Sequence, residues 1–181
     1  MGAKLETIVM MVVVVMGVAG AGKSTVGPLL AQALGGDFAE GDKFHPPANV
    51  AKMKSGTPLD DADRKPWLEA MAAAIRDWAT KDRPTVLACS ALKRSYRAIL
   101  AGGSREVRFV FLKGEEGVIA ARMARRHDHF MPPSLLKSQF ATLEEPEDAI
   151  IADIRAEPAA IVAAVLPRLG VVPPSVVGQS A

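Results

Sequence analysis

Two rhythms of apolar and polar positions exchange along the chain. Every residue from Ile8 to Met16 is apolar, and eight of the nine are Val or Met. An unbroken, β-branched run of this length reads as a strand buried on both faces of a parallel sheet. At Gly17 the composition turns to Gly, Ala and a single Lys, and Thr25–Leu34 then follows a largely helical pattern. Gly27-Pro28 falls in its first turn, where proline is tolerated. The exchange recurs. DFAEGD (37–42) predicts a short strand ending in acids, PPANVAKMKSG (46–56) a helix opened by Pro and closed by Gly, and residues 59–81 a long helix behind cap-type aspartates. Trp67 and Trp78, eleven residues apart, share a face of that helix and read as core. PTVLACS (84–90) and EVRFVFLKG (106–114) predict buried strands, each followed by a helix, at 92–103 and 115–126. A helix over 134–144, a strand over 149–154 and a helix over 158–170 complete the series. Such alternation implies an α/β fold with a parallel sheet covered by helices on both faces.

The opening apolar run has three candidate meanings. A membrane span needs about 20 apolar residues, and this run stops at Gly17 with a charge at Lys23. A secretion signal could be drawn with Lys4 before the run and Ala19-Gly20-Ala21 as the cleavage site. Cleavage there would destroy the third possibility, which the flanking elements favour. Gly17-Val18-Ala19-Gly20-Ala21-Gly22-Lys23-Ser24 matches G-x-x-x-x-G-K-[ST] in full, between a buried strand and a helix. Glycines at 17, 20 and 22 let backbone N–H groups wrap an anionic triphosphate. Lys23 brings a positive charge to the β- and γ-phosphates, Ser24 offers a hydroxyl to Mg²⁺, and the helix from Thr25 points its positive end at the phosphates. The expected fold is therefore the three-layer P-loop NTPase architecture, with ATP and Mg²⁺ as cofactors.

In such sheets ligands bind beyond the carboxyl ends of the strands. That rule selects 17–24, 40–45 and 89–97. Glu40 and Asp42, two apart, would face one way on a strand, one holding the metal's waters and the other taking a proton from an attacking hydroxyl. An exposed pair capping a turn is the plainer alternative. TVLACS ends without an acid, which gives Glu40 and Asp42 more weight. CSALKRSYR sets Ser90, Lys93, Arg94 and Arg97 at a strand-to-helix junction, with Lys93 and Arg97 on one helix face. They suit an anionic substrate, or form a solvated basic face. Arg122, Arg125 and Arg126 precede a segment rich in His and Pro. In small phosphoryl-transfer enzymes such a segment forms a lid that delivers arginine and excludes water.

Bulk composition narrows the classes. A chain of 181 residues suits one domain, with a core over about 8–170, a lid over about 122–140 and a loose tail over 171–181. Twenty-two basic and 20 acidic residues leave a net charge of +2, with no pull toward nucleic acid or anionic membrane. One cysteine, Cys89, excludes an internal disulfide and fits a reducing compartment, and three irregularly spaced histidines argue against structural zinc. Met1-Gly2 lacks the Ser or Thr that myristoylation requires at position six, where Glu6 stands.

Five blocks in order, GVAGAGKST, EGDKFHPPANVAKMKSGTPLDDADRKPWL, CSALKRSYR, FVFLKG and HFMPPSLLKSQFATLEEP, resemble the gluconokinase family of shikimate kinase-like P-loop kinases. The resemblance runs from about Ile8 to Ile154. Shikimate kinases differ after the third strand, where a glycine run replaces CSALK. The resemblance implies ATP-dependent phosphorylation of D-gluconate to 6-phosphogluconate, Mg²⁺, a cytoplasmic enzyme, and often a homodimer. It implies that Asp42 meets the sugar hydroxyl. His45, Lys52 and Arg64 fall in its substrate-side block, Ser90, Lys93 and Arg94 in its strand-end block, and Arg122 and Arg126 match lid-side basic positions. Where the family usually reads Asp-Gly-Asp, this chain has Glu40-Gly41-Asp42, whose Glu reaches Mg²⁺ waters from further away. A kinase of another small sugar acid and a non-catalytic ATP-binding module remain open at this point.

Overall fold

The computed structural model describes residues 10–125 and 134–171. Most of the proposed lid's connecting segment, Arg126 included, and the tail from residue 172 lie outside them. Five strands, β1 (Val12–Met16), β2 (Asp37–Glu40), β3 (Thr85–Ala88), β4 (Val107–Lys113) and β5 (Ile150–Asp153), form one sheet in the order β2-β3-β1-β4-β5, with every pairing parallel. β1 is central, and all five of its residues are fully buried.

The unbroken apolar run follows from that position. Val13 and Val15 pack into one layer with Val26 and Leu30 of α1 (Lys23–Leu34) and Ile161 and Val165 of α7 (Pro158–Val165). Val12, Val14 and Met16 pack into the other with Trp67, Leu68 and Met71 of α3 (Asp61–Trp78) and Tyr96 and Leu100 of α4 (Arg94–Ala101). A strand covered on both faces has no use for polar alternation. α2 (Pro47–Lys54), α5 (Glu116–Ala124) and α6 (Ser134–Thr142) complete the described helices.

The predicted elements are present, with two changes of boundary that matter. The strand expected over 37–42 stops at Glu40, and Gly41–Phe44 is a 3₁₀ turn whose Gly41 carbonyl accepts the Trp67 indole N–H at 2.8 Å. Glu40 and Asp42 are therefore not alternate residues of one strand. The last helix, expected over 158–170, tightens to a 3₁₀ turn at Leu166–Leu169, because Pro167 has no N–H with which to continue an α-helix.

Candidate active site

The loop between β1 and α1 opens into a cavity of about 270 Å³. Ala19, Gly20, Gly22, Lys23, Ser24 and Thr25 line it. Gly17, Val18 and Ala21 lie behind: Val18 and Ala21 are buried in the core, and the Gly17 N–H donates to the Ser90 carbonyl at 3.3 Å, tying the loop to the end of β3. The loop leads directly into α1, whose first N–H groups have no acceptor within the helix. Lys23 Nζ donates to the carbonyls of Gly17 and Val18 at 3.0 and 2.9 Å, which poises the ammonium over its own loop. Burial lowers its pKa, and the charges of Asp42 and Glu40 pull it back up. A Cβ built on Gly22 would meet nothing within 4 Å, so the loop keeps open the space that phosphate oxygens need. These donors fit a polyphosphate.

Glu40, at the end of β2, and Asp42, in the 3₁₀ turn, both line the cavity despite their changed backbone setting. His45 closes that turn, its N–H donating to the Asp42 carbonyl at 3.3 Å. Its ring stacks on Trp67 with centroids 4.3 Å apart and planes 9° from parallel. Burial lowers the His45 pKa; Asp42 opposes this and Arg64 adds to it. Arg64 and Ser90 also line the cavity, and Arg64 is its one guanidinium among the described residues. Among those residues no three His, Cys, Asp or Glu side chains gather to bind a metal by themselves. A Mg²⁺ would have to share its ligands with the nucleotide, as this ion commonly does. The Ser24 hydroxyl and the Glu40 carboxylate, lining one cavity, are oxygen donors suited to it. Cys89 lies just behind, and burial pushes its thiol up to about 12, leaving it neutral and unreactive.

Several basic residues expected at the substrate are elsewhere. Lys52 pairs with Asp63, the residue that completes a capping box with Asp60 at the start of α3. Lys93, the N-cap of α4, donates to both Asp61 oxygens at 2.8 and 2.9 Å. Arg94 pairs with Glu147 at 3.4 Å on the surface, while its N–H donates to Glu144 at 2.7 Å. Arg97 is 6% exposed and donates to the carbonyls of Ala91 and Leu92, both at 3.1 Å. Ala91 has a φ of 44°, so Arg97 secures a left-handed turn just past Ser90. Lys93 and Arg97 thus do not form a shared face. Arg122 donates to the Ile154 carbonyl at 2.7 Å beyond β5 and does not line the cavity.

Two other residues of the site stand inside blocks of the family resemblance without being singled out by the chemistry of the sequence. Trp67 is core, as its spacing implies, yet it also floors the cavity. A buried indole N–H needs an acceptor, and that need pointed to a polar neighbour. Gln139 of α6 accepts the Ala19 N–H at 2.7 Å, linking that helix to the phosphate loop. Nothing in the local pattern of SLLKSQFATLE marks that glutamine.

A family model described as shikimate kinase matches residues 19–164. The gluconokinase of Gluconobacter oxydans strain 621H is 53% identical over 135 residues, 75% of this chain and 76% of that protein. A sugar kinase from Janibacter, solved without ligand, superposes with a TM-score of 0.84 at 45% identity, covering 90% of this chain and 96% of that one. A gluconokinase from Sinorhizobium meliloti superposes with a TM-score of 0.80 at 45% identity, covering 90% and 93%.

Proposed function

The chain belongs to the gluconokinase family of shikimate kinase-like P-loop kinases, and on that premise we propose that it transfers the γ-phosphoryl group of ATP to a hydroxyl of gluconate. One observation carries the reading furthest: a single cavity is lined by the phosphate loop, by Glu40 and Asp42, and by Arg64. Phosphate donors, a proton acceptor and a cation for a carboxylate are what this reaction needs.

The loop amides and Lys23 hold the β- and γ-phosphates, and the ammonium offsets charge that builds as the γ-phosphoryl group leaves. Asp42 accepts the proton of the attacking hydroxyl as its oxygen bonds to phosphorus and ADP departs. Arg64, beside the His45–Trp67 stack, receives the substrate carboxylate in place of Lys93, Arg94 or Arg97. Ser24 and, through water, Glu40 would hold a Mg²⁺ ion, which would supply charge neutralisation on the phosphate oxygens. Arg122 and Arg126 belong to the lid side of this scheme, and Arg126 is proposed to act on the transferring phosphoryl group. We place the enzyme in the cytoplasm, in keeping with its single buried thiol, and take it to be a homodimer, as the family resemblance implies. Among the described residues no helix is long and apolar enough to cross a membrane.

The test is a coupled assay with ATP and Mg²⁺, comparing gluconate with glucose and wild type with Asp42→Asn. Gluconate should be strongly preferred, EDTA should stop turnover, and Asp42→Asn should lower kcat by about 10²–10⁴-fold, the usual worth of a positioned base. Equal use of the two sugars would sink the sugar-acid assignment, and normal turnover by Asp42→Asn the base assignment.

A further inference from the structure

Arg64 does not enter the cavity alone. Its Nη1 donates to the hydroxyl of Tyr96 at 3.2 Å. That hydroxyl donates in turn to Asp61 Oδ1, and both oxygens of Asp61 accept from Lys93 Nζ. The four residues bridge the first turn of α3 and the start of α4. Their charges set the direction of every bond: a guanidinium can only donate and a carboxylate can only accept, so the tyrosine proton must point at Asp61. Tyr96 is 4% exposed, and burial, then its bond to Asp61, raises its pKa and keeps the proton in place. Its ring also lies 5.7 Å from the Arg64 guanidinium carbon and 5.5 Å from Lys93 Nζ, within reach of a cation–π attraction.

We propose that Tyr96, held by Asp61 and Lys93, is a positioning residue that fixes the Arg64 guanidinium for the substrate carboxylate; this rests on the gluconate-binding role given to Arg64 above. Arginine carries much rotamer freedom, and a substrate that must order it loses that entropy from its affinity. A buried hydroxyl that occupies one N–H in advance leaves the rest of the fork pointed and ready. Lys93 thereby serves the substrate without lining its cavity.

The experiment is steady-state kinetics of full-length wild type, Tyr96→Phe, Asp61→Ala, Arg64→Ala and the Arg64→Ala/Tyr96→Phe double variant. Phenylalanine keeps the ring and its packing and deletes only the hydroxyl. Tyr96→Phe should raise the KM for gluconate about tenfold, the worth of one hydrogen bond to a charged group. Its kcat and its KM for ATP should stay within about twofold, because a positioning role acts on substrate binding alone. Asp61→Ala should move the gluconate KM in the same direction. On the Arg64→Ala background the tyrosine change should add nothing, as residues acting through one partner are non-additive. A raised gluconate KM in Arg64→Ala with none in Tyr96→Phe overturns the positioning role and leaves Arg64's own role intact. An unchanged gluconate KM in Arg64→Ala overturns both. A Tyr96→Phe effect shared equally by ATP and gluconate marks general damage and also overturns the proposal.

Discussion

Gly20 and Gly22 stand two residues apart in the phosphate loop, and a methyl group added to each should carry unequal penalties. Their φ angles are +78° and +100°. A left-handed backbone costs alanine about 1–2 kcal/mol. Alanine also narrows the unfolded ensemble, which offsets about 0.4–1 kcal/mol of that. For Gly22 the account ends there, at a net loss of about 1 kcal/mol, since its Cβ would meet nothing within 4 Å. For Gly20 the Cβ would lie 2.7 Å from Met123 Cγ and 3.0 Å from Ile119 Cγ2, both on α5. Overpacking of that kind adds about 1–3 kcal/mol, for a total of about 2–4 kcal/mol. At about 2–4 °C per kcal/mol for a chain of this size, Gly20→Ala should lower Tm by about 10 °C and Gly22→Ala by about 3 °C. Urea midpoints should follow the same order at unchanged slope. Activity should show a different cost. The methyl of Gly22→Ala enters the cavity, so this better-folded variant should still bind ATP poorly. The assay is thermal and urea unfolding beside ATP titration. Equal Tm losses, or a Gly20→Ala protein as stable as wild type, would refute the steric account of α5 against the loop.

Lys23→Ala should leave the protein folded and lower kcat by about 10²–10³-fold, the scale of a lost electrostatic clamp; a variant retaining half of wild-type turnover would show that the ammonium is not used as described. His45 supplies a pH dependence of stability. Its folded pKa lies below the ordinary 6.5, chiefly through burial, so the unfolded chain takes up its proton first. Its contribution is complete above about 6.5 and is lost as pH falls from there through the folded value. Urea midpoints measured at closely spaced pH values below neutrality should fall more steeply in wild type than in His45→Gln, and parallel curves would dismiss the role of His45.

The sequence and the structure divide the work at identifiable residues. The strand into Met16, the phosphate loop and the start of α1 were legible because their signals are local: a two-faced apolar strand, glycines where backbone must approach phosphate, and a Lys-Ser pair at the point where a helix begins. The α/β alternation was legible for the same reason, since each element's period is written in its own residues. The basic cluster was not. Spacing puts Lys93, Arg94 and Arg97 near one helix start, and nothing within that stretch says which of them meets a ligand. Acids far along the chain decide it, Asp61 taking Lys93 and Glu144 and Glu147 taking the backbone and side chain of Arg94. Arg97 turns inward because the left-handed Ala91 turn leaves two carbonyls that need donors. Arg64 is left as the guanidinium lining the described cavity through the same long-range pairing. Helix and strand periods record burial, which each residue meets through its own neighbours; a charge records only a demand for a partner, and where that demand is met depends on which elements the tertiary fold brings side by side.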